Sequence, residues 1–171
     1  MALPLLYAAA TGDNALIEQT HVATPSLLKS TNPSGQTALH LAAHHTKTST
    51  LRLLLSYNLI SPSARDDKGQ TPLHIAAQGN SPETVEILLQ KDDGTSCATR
   101  DKDGKTAIFY AYQNPCLEVL AVFLKSAPSC GSGCALTPEI ILRSGASDYF
   151  GSAVAKESKC CGSRATATTR S

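Results

Sequence analysis

The strings "GQTALHLAA", "GQTPLHIAA" and "GKTAIFYAY" begin at Gly35, Gly69 and Gly104, so the chain repeats itself at intervals of 34 and 35 residues. The likeness continues past the match. Leu51, Leu53, Leu54 and Leu55 align with Val85, Ile87, Leu88 and Leu89, and these with Leu120, Val122, Phe123 and Leu124. Upstream, "LLYAAATGDNALIEQ" fits the same unit without its leading turn. A period of this length marks one supersecondary unit used several times, and such units bury their apolar faces only by stacking.

Each unit can be read locally. Thr37, Thr71 and Thr106 stand where a side-chain oxygen caps a helix start, and Pro72 stands where a first helical turn tolerates proline. "LHIAA" predicts a short helix whose alanines let a neighbour approach closely. Gly79-Asn80-Ser81-Pro82 interrupts it, and "ETVEILLQ" predicts a second helix with apolar residues at helical spacing. "KDDGTSCATRDKDG" reads as a polar connector ending at Asp101-Lys102-Asp103-Gly104. The Asp66-Asp67 and Asp92-Asp93 pairs fall in turns, where carboxylates are expected to be solvated.

These residues resemble the ankyrin repeat: Asp-x-x-Gly-x-Thr-Pro-Leu-His, an alanine pair, then a Val/Leu-rich second helix. The Asp66–Gly94 unit carries the pattern most fully. In Asn32–Ser56, Asn32 replaces Asp and Ala38 replaces Pro, and Asp101–Lys125 has Ala107, Ile108 and Phe109 for Pro-Leu-His. The family usually has two residues between the inter-helix glycine and the glutamate, whereas Gly79 and Glu83 are separated by three. The resemblance covers about residues 3–126 and implies an all-α solenoid of stacked helix-turn-helix units with short hairpin-like connectors. The units are expected at about 3–31, 32–65, 66–100 and 101–126. Residues 127–155 are expected to form a degenerate C-terminal cap, and 156–171 a basic, disordered tail.

The resemblance also implies where a partner binds, namely at the hairpin tips and on the concave face of the first helices. Carried over by position, the tips are Pro33, Ser34 and Gln36, then Asp67, Lys68 and Gln70, then Lys102, Asp103 and Lys105. His44, Gln78 and Gln113 follow the alanine pairs, and Arg65 and Arg100 precede two tips. Tyr112 stands where the family has a small alanine, with Tyr110 beside it. Such rings mark either the end of the stack, covered by residues 136–150, or an exposed aromatic anchor. The expected partner is another protein, and Arg65, Lys68, Arg100, Lys102 and Lys105 favour an acidic or polar surface on it. By the same resemblance His40 and His74 are buried-edge structural side chains rather than metal ligands, and Cys97 is a small buried hydrophobe of the connector.

Composition narrows the rest. At 171 residues the chain suits one domain with a tail, expected to be monomeric. A net charge of +1 offers no electrostatic case for nucleic acid or membrane. No segment approaches the roughly 18 apolar residues of a membrane span. "MALPLLYAAA" has no Lys or Arg before Lys29 and matches the repeat, so it reads as helix rather than as a secretion signal. A cytoplasmic or nuclear protein is expected.

The usual hydrolase, phosphate-cradling and zinc-protease motifs are missing, so neither catalysis, nor a cofactor, nor a metal is expected. Cys130, Cys134, Cys160 and Cys161 do not have a usual zinc spacing. An alternative is that Cys160 and Cys161, beside Lys156, Lys159 and Arg164, are S-acylated and tether a regulatory protein to a membrane.

Overall fold

The computed structural model describes residues 3–79, 81–91, 95–113 and 117–126. All lie in the first of the two compact units of the chain, Met1–Ala135; the second is Leu136–Ser171. The expected cap over 127–155 and tail over 156–171 lie outside the described residues. So do Cys116, Cys130, Cys134, Cys160 and Cys161.

Among the described residues the secondary structure is helical, apart from two isolated bridges, Thr31 with Thr37 and Arg100 with Thr106. α1 (Leu3–Thr11) and α2 (Asn14–Ala23) make the first unit, and α3 (Ala38–His44) and α4 (Thr48–Ser56) the second. α5 (Pro72–Gln78) and α6 (Pro82–Lys91) make the third. After the short α7 (Thr95–Ala98), α8 (Ala107–Gln113) and α9 (Leu117–Ser126) make the fourth. Within a unit the two helices pack together. Between units α1, α3, α5 and α8 touch in order as an inner row, and α2, α4, α6 and α9 touch in order as an outer row.

The sequence pattern explains both rows. Ala8, Ala42, Ala76 and Ala111 recur at one position of the inner helices and are all buried, so the backbones meet without bulky side chains between them. In α6, Val85, Leu88 and Leu89 are buried while Glu83, Glu86 and Gln90 are exposed. This is the one-sided stripe of an amphipathic helix, and each fully buried Leu or Val contributes roughly 1.5–3 kcal/mol. A buried Thr50 hydroxyl also donates to the Asn14 side-chain oxygen at 2.6 Å, tying α4 to α2.

Each hairpin tip is built on one side-chain device. The Oδ1 atoms of Asn32, Asp66 and Asp101 each accept two backbone N–H groups, two and four residues onward. For Asp66 these are Lys68 at 2.9 Å and Gln70 at 2.8 Å. Asn32 takes Ser34 and Gln36, and Asp101 takes Asp103 and Lys105, at 2.8–3.0 Å. The turn then closes through a left-handed glycine: Gly35 (φ 72°), Gly69 (φ 75°) and Gly104 (φ 76°). This corrects one expectation. Asp66 is not solvated but only 8% exposed, because its carboxylate is the hub that saturates the turn's own N–H groups.

The connector after α6 differs too. It holds α7 where the sequence reads as a polar connector, with Cys97 buried as expected and Ser96 buried beside it. Residues as small as Ser and Cys give no periodic apolar signal, yet they fill the space where α7 meets α8.

The loops between inner and outer helices also turn through left-handed residues. Gly12 does so in the first unit (φ 91°), and Thr46, 34 residues later, does so in the second (φ 53°). A β-branched residue is strained in this region. Thr46→Gly is expected to stabilise the protein by about 0.5–1 kcal/mol, after allowing for the extra freedom of glycine in the unfolded chain. The thermal midpoint, followed by circular dichroism, should rise about 3 °C. A midpoint that stays level or falls would show that Thr46 is not strained.

Candidate partner-binding surface

The surface rests on two buried histidines. His40 Nδ1 accepts the Thr37 N–H at 3.1 Å and lies 2.9 Å from the Thr37 hydroxyl, while Nε2 lies 3.1 Å from the Gln70 carbonyl oxygen. A carbonyl can only accept, so the network assigns the hydrogen to Nε2 and leaves Nδ1 as the acceptor. His74 repeats the arrangement with Thr71 and with the Lys105 carbonyl oxygen at 3.3 Å. Each ring therefore closes a capping box at its own helix and reaches the tip of the next unit. Burial pushes both imidazoles below their ordinary pKa; the carbonyl acceptors and the nearby Asp66 or Asp101 carboxylate oppose it without prevailing.

The tips are then laced together. The Asp67 N–H donates to the Ser34 carbonyl at 3.1 Å, and the Lys102 N–H to the Lys68 carbonyl at 2.9 Å. Arg65 donates from Nε to the Gly69 carbonyl at 3.1 Å and from Nη2 to the Arg100 carbonyl. Arg100 in turn donates to the Gly104 carbonyl at 2.8 Å. Both arginines were expected at the binding surface. Both are exposed, but the donors named here serve backbone carbonyls.

Beside the tips of the third and fourth units lies an open groove of about 510 Å³. Its lining is Asp67, Lys68, Gln70 and Gln78 with Asp101, Lys102, Asp103 and Tyr110. All but Asp101 are positions that sequence reasoning marks for partner contact, so residues from two units converge on one depression.

Tyr110 organises its floor. The phenol donates to Asp101 Oδ2 at 2.6 Å and accepts from Gln70 Nε2 at 3.3 Å. Burial, helped by the Asp101 carboxylate, pushes the Tyr110 hydroxyl up to about 12, so it remains a donor at physiological pH. Burial alone would raise the Asp101 carboxyl. The hydrogen bonds from Tyr110 and from the Lys105 and Asp103 N–H groups outweigh it and hold the group below the usual carboxylate range. The ring is thus half-buried in the groove and bonded to the third unit's tip side chain.

The remaining candidates are not among the residues that line this groove. Ser34 and His44 are exposed on the second unit, with the His44 ring edge-on to His45 at 4.8 Å. Gln36 is half-buried and accepts from the Asn32 amide at 3.0 Å. Gln113 is exposed, and Tyr112 is half-buried where the aligned Ala77 is fully enclosed. Lys105 is turned onto aromatic rings, with its ammonium nitrogen 5.6 Å from the centroids of both Phe109 and Tyr110.

Two residues were missed. Asp101, the groove's hydrogen-bond hub, could have been found from its alignment with Asn32 and Asp66. Tyr7, 69% exposed on α1, aligns with Leu41 and Ile75 and so belongs to the same face of the inner row as Tyr110. Among the described residues no group of three or more His, Cys, Asp or Glu side chains is placed to hold a metal ion. Nor is any described helix long and apolar enough to cross a membrane.

A family model for ankyrin repeats, in three copies, matches residues 5–101 and 59–133, which together span most of the chain. No curated protein matches it. Ankyrin repeats generally mediate protein–protein interaction and are typically non-catalytic. The stacked helix pairs, the glycine-turned tips and the capping histidines agree with that match, and the chain belongs to the ankyrin-repeat family.

Proposed function

We propose that the protein is a non-catalytic binding module that holds a protein partner in the groove beside the third and fourth tips, as an adaptor, inhibitor or regulator. The observation that carries this reading is the convergence of tip and inner-helix residues from consecutive units on that one depression. The lacing of the tips by backbone and arginine hydrogen bonds supports it, since a preorganised surface loses little conformational entropy on binding. Lys68 and Lys102 are exposed, and among the described residues neither has an ion-pair partner. Their free ammonium groups favour an acidic or polar patch on the partner.

Substituting Asp67, Lys68 and Lys102 together by alanine removes exposed side chains and leaves their backbone bonds in place. The triple variant should keep the wild-type circular dichroism spectrum and lose a bound protein partner by tenfold or more, since losses near 1.4 kcal/mol are tenfold each. Pull-down of the same partner by both forms with equal yield would remove the groove from consideration.

A further inference from the structure

At the fourth tip the protein seats one of its own cations. The Lys105 ammonium nitrogen lies 5.6 Å from the centroid of the Phe109 ring and 5.6 Å from that of Tyr110. The two rings stand 6.0 Å apart at 83°, forming a corner, and Asp103 Oδ2 closes a third side 3.8 Å from the nitrogen. Two ring faces and a carboxylate are complementary to an organic cation.

The position of Lys105 does not require a lysine for the fold. The aligned residues are Gln36 and Gln70, and what all three supply to the tip is backbone: an N–H to the hub side chain and a carbonyl to the hub N–H. Phe109, likewise, stands where His40 and His74 bridge to a following unit. A phenyl ring cannot make that bridge, and it is half-buried rather than enclosed. The Lys105 side chain is 37% exposed and that of Asp103 is 71% exposed, so the ammonium is held by weak, solvated contacts. A cation brought by a partner would be desolvated there, where attraction to the rings is stronger.

We infer that the Phe109–Tyr110 corner is a receptor for a lysine or arginine side chain of the protein partner, and that Lys105 occupies it until the partner binds. The inference rests on the proposed binding role and adds the chemistry of one contact. Opposite the groove's free lysines the partner carries acidic groups, and at the corner beyond them it carries a cation.

The test uses tetramethylammonium chloride as the probe, observed by saturation-transfer NMR against matched sodium chloride. Lys105→Ala should bind the probe about fivefold more tightly than wild type, because the internal competitor is gone. Adding Phe109→Leu should bring binding back to or below the wild-type level, with the circular dichroism spectrum as the check on folding. Adding Asp103→Asn instead, at an exposed position outside the core, should weaken the probe about threefold. Equal affinity in wild type and Lys105→Ala would overturn the inference, as would binding indifferent to both added substitutions. The probe reads the corner alone, so failure here leaves the general binding role standing, whereas failure there leaves the corner's affinity for a cation standing and removes only its assignment to a partner.

Discussion

His74→Ala should lower the free energy of unfolding by about 3 kcal/mol, a large share of what a domain of this size possesses. The substitution opens a capping box worth about 1 kcal/mol and leaves the buried Thr71 N–H without its acceptor, at roughly 1–3 kcal/mol. It also removes the bridge to the Lys105 carbonyl, which keeps the Asp101 N–H as its other partner. Urea unfolding would show a lower midpoint. Because the bridge couples neighbouring units, the slope should also fall as the transition broadens.

The same ring sets a pH dependence whose sign is fixed by its burial. In the folded protein the pKa values of His40 and His74 are depressed, so between the folded and unfolded values the unfolded chain binds more protons. Stability should be level above about pH 7 and decline as pH falls through the ordinary histidine value near 6.5. The slope is up to about 1.4 kcal/mol per pH unit for each ring. His74→Ala should retain only the share due to His40, roughly half of the slope that the two rings give together. A wild-type urea midpoint that does not change from pH 7.5 to pH 5 would show that the imidazoles are not held neutral.

The second large effect lies in the tip glycines, and it is a contrast. An added Cβ at Gly69 would lie 3.0 Å from Arg65 Nη2 and 3.1 Å from the Lys102 backbone nitrogen. At Gly35 it would lie 2.7 Å from Asp67 Oδ1 and 3.0 Å from the Asp67 nitrogen. At Gly104 it meets nothing within 4 Å among the described residues. All three have positive φ and incur about 1–2 kcal/mol of backbone strain on becoming alanine. Only the first two must also push the next tip's backbone away, for about 1–3 kcal/mol more. Gly35→Ala and Gly69→Ala should therefore lose about 3 kcal/mol and Gly104→Ala about 1 kcal/mol, by chemical unfolding. Equal losses at Gly69 and Gly104 would mean that tip-to-tip contact adds nothing beyond the turn.

Much of this architecture is legible in the sequence. The 34-residue offset that aligns Gly35 with Gly69 also marks which alanines and leucines face inward, since the same geometry buries them in every unit. What the period cannot report is a bond between units. The Tyr110 phenol finds Gln70 across 40 residues, and nothing in "IFYAYQ" says that the ring turns toward the tips. Asp66 was misjudged because a turn carboxylate is ordinarily wet, and only the count of N–H groups it must satisfy shows it enclosed. The short α7 was hidden for the opposite reason: Ser96 and Cys97 are too small to announce a helix, although the place of Cys97 in the repeat does announce its burial. All of the groove's residues but Asp101 are marked one by one in the sequence, but their convergence depends on two tips docking, which is a three-dimensional fact.

Each tie described between units, whether imidazole to carbonyl, guanidinium to carbonyl or N–H to carbonyl, ends at the adjacent unit. Mechanically the stack is a set of springs in series. A small rotation at one junction is not resisted by any other, so deflections add along the chain while each helix pair stays stiff. The first junction is tied differently: Leu6 takes the place aligned with His40 and His74 and brings no bridging nitrogen, and the Thr50 hydroxyl holds Asn14 there instead. A deflection at that end is therefore set by its own junction and need not reach the groove of the third and fourth units.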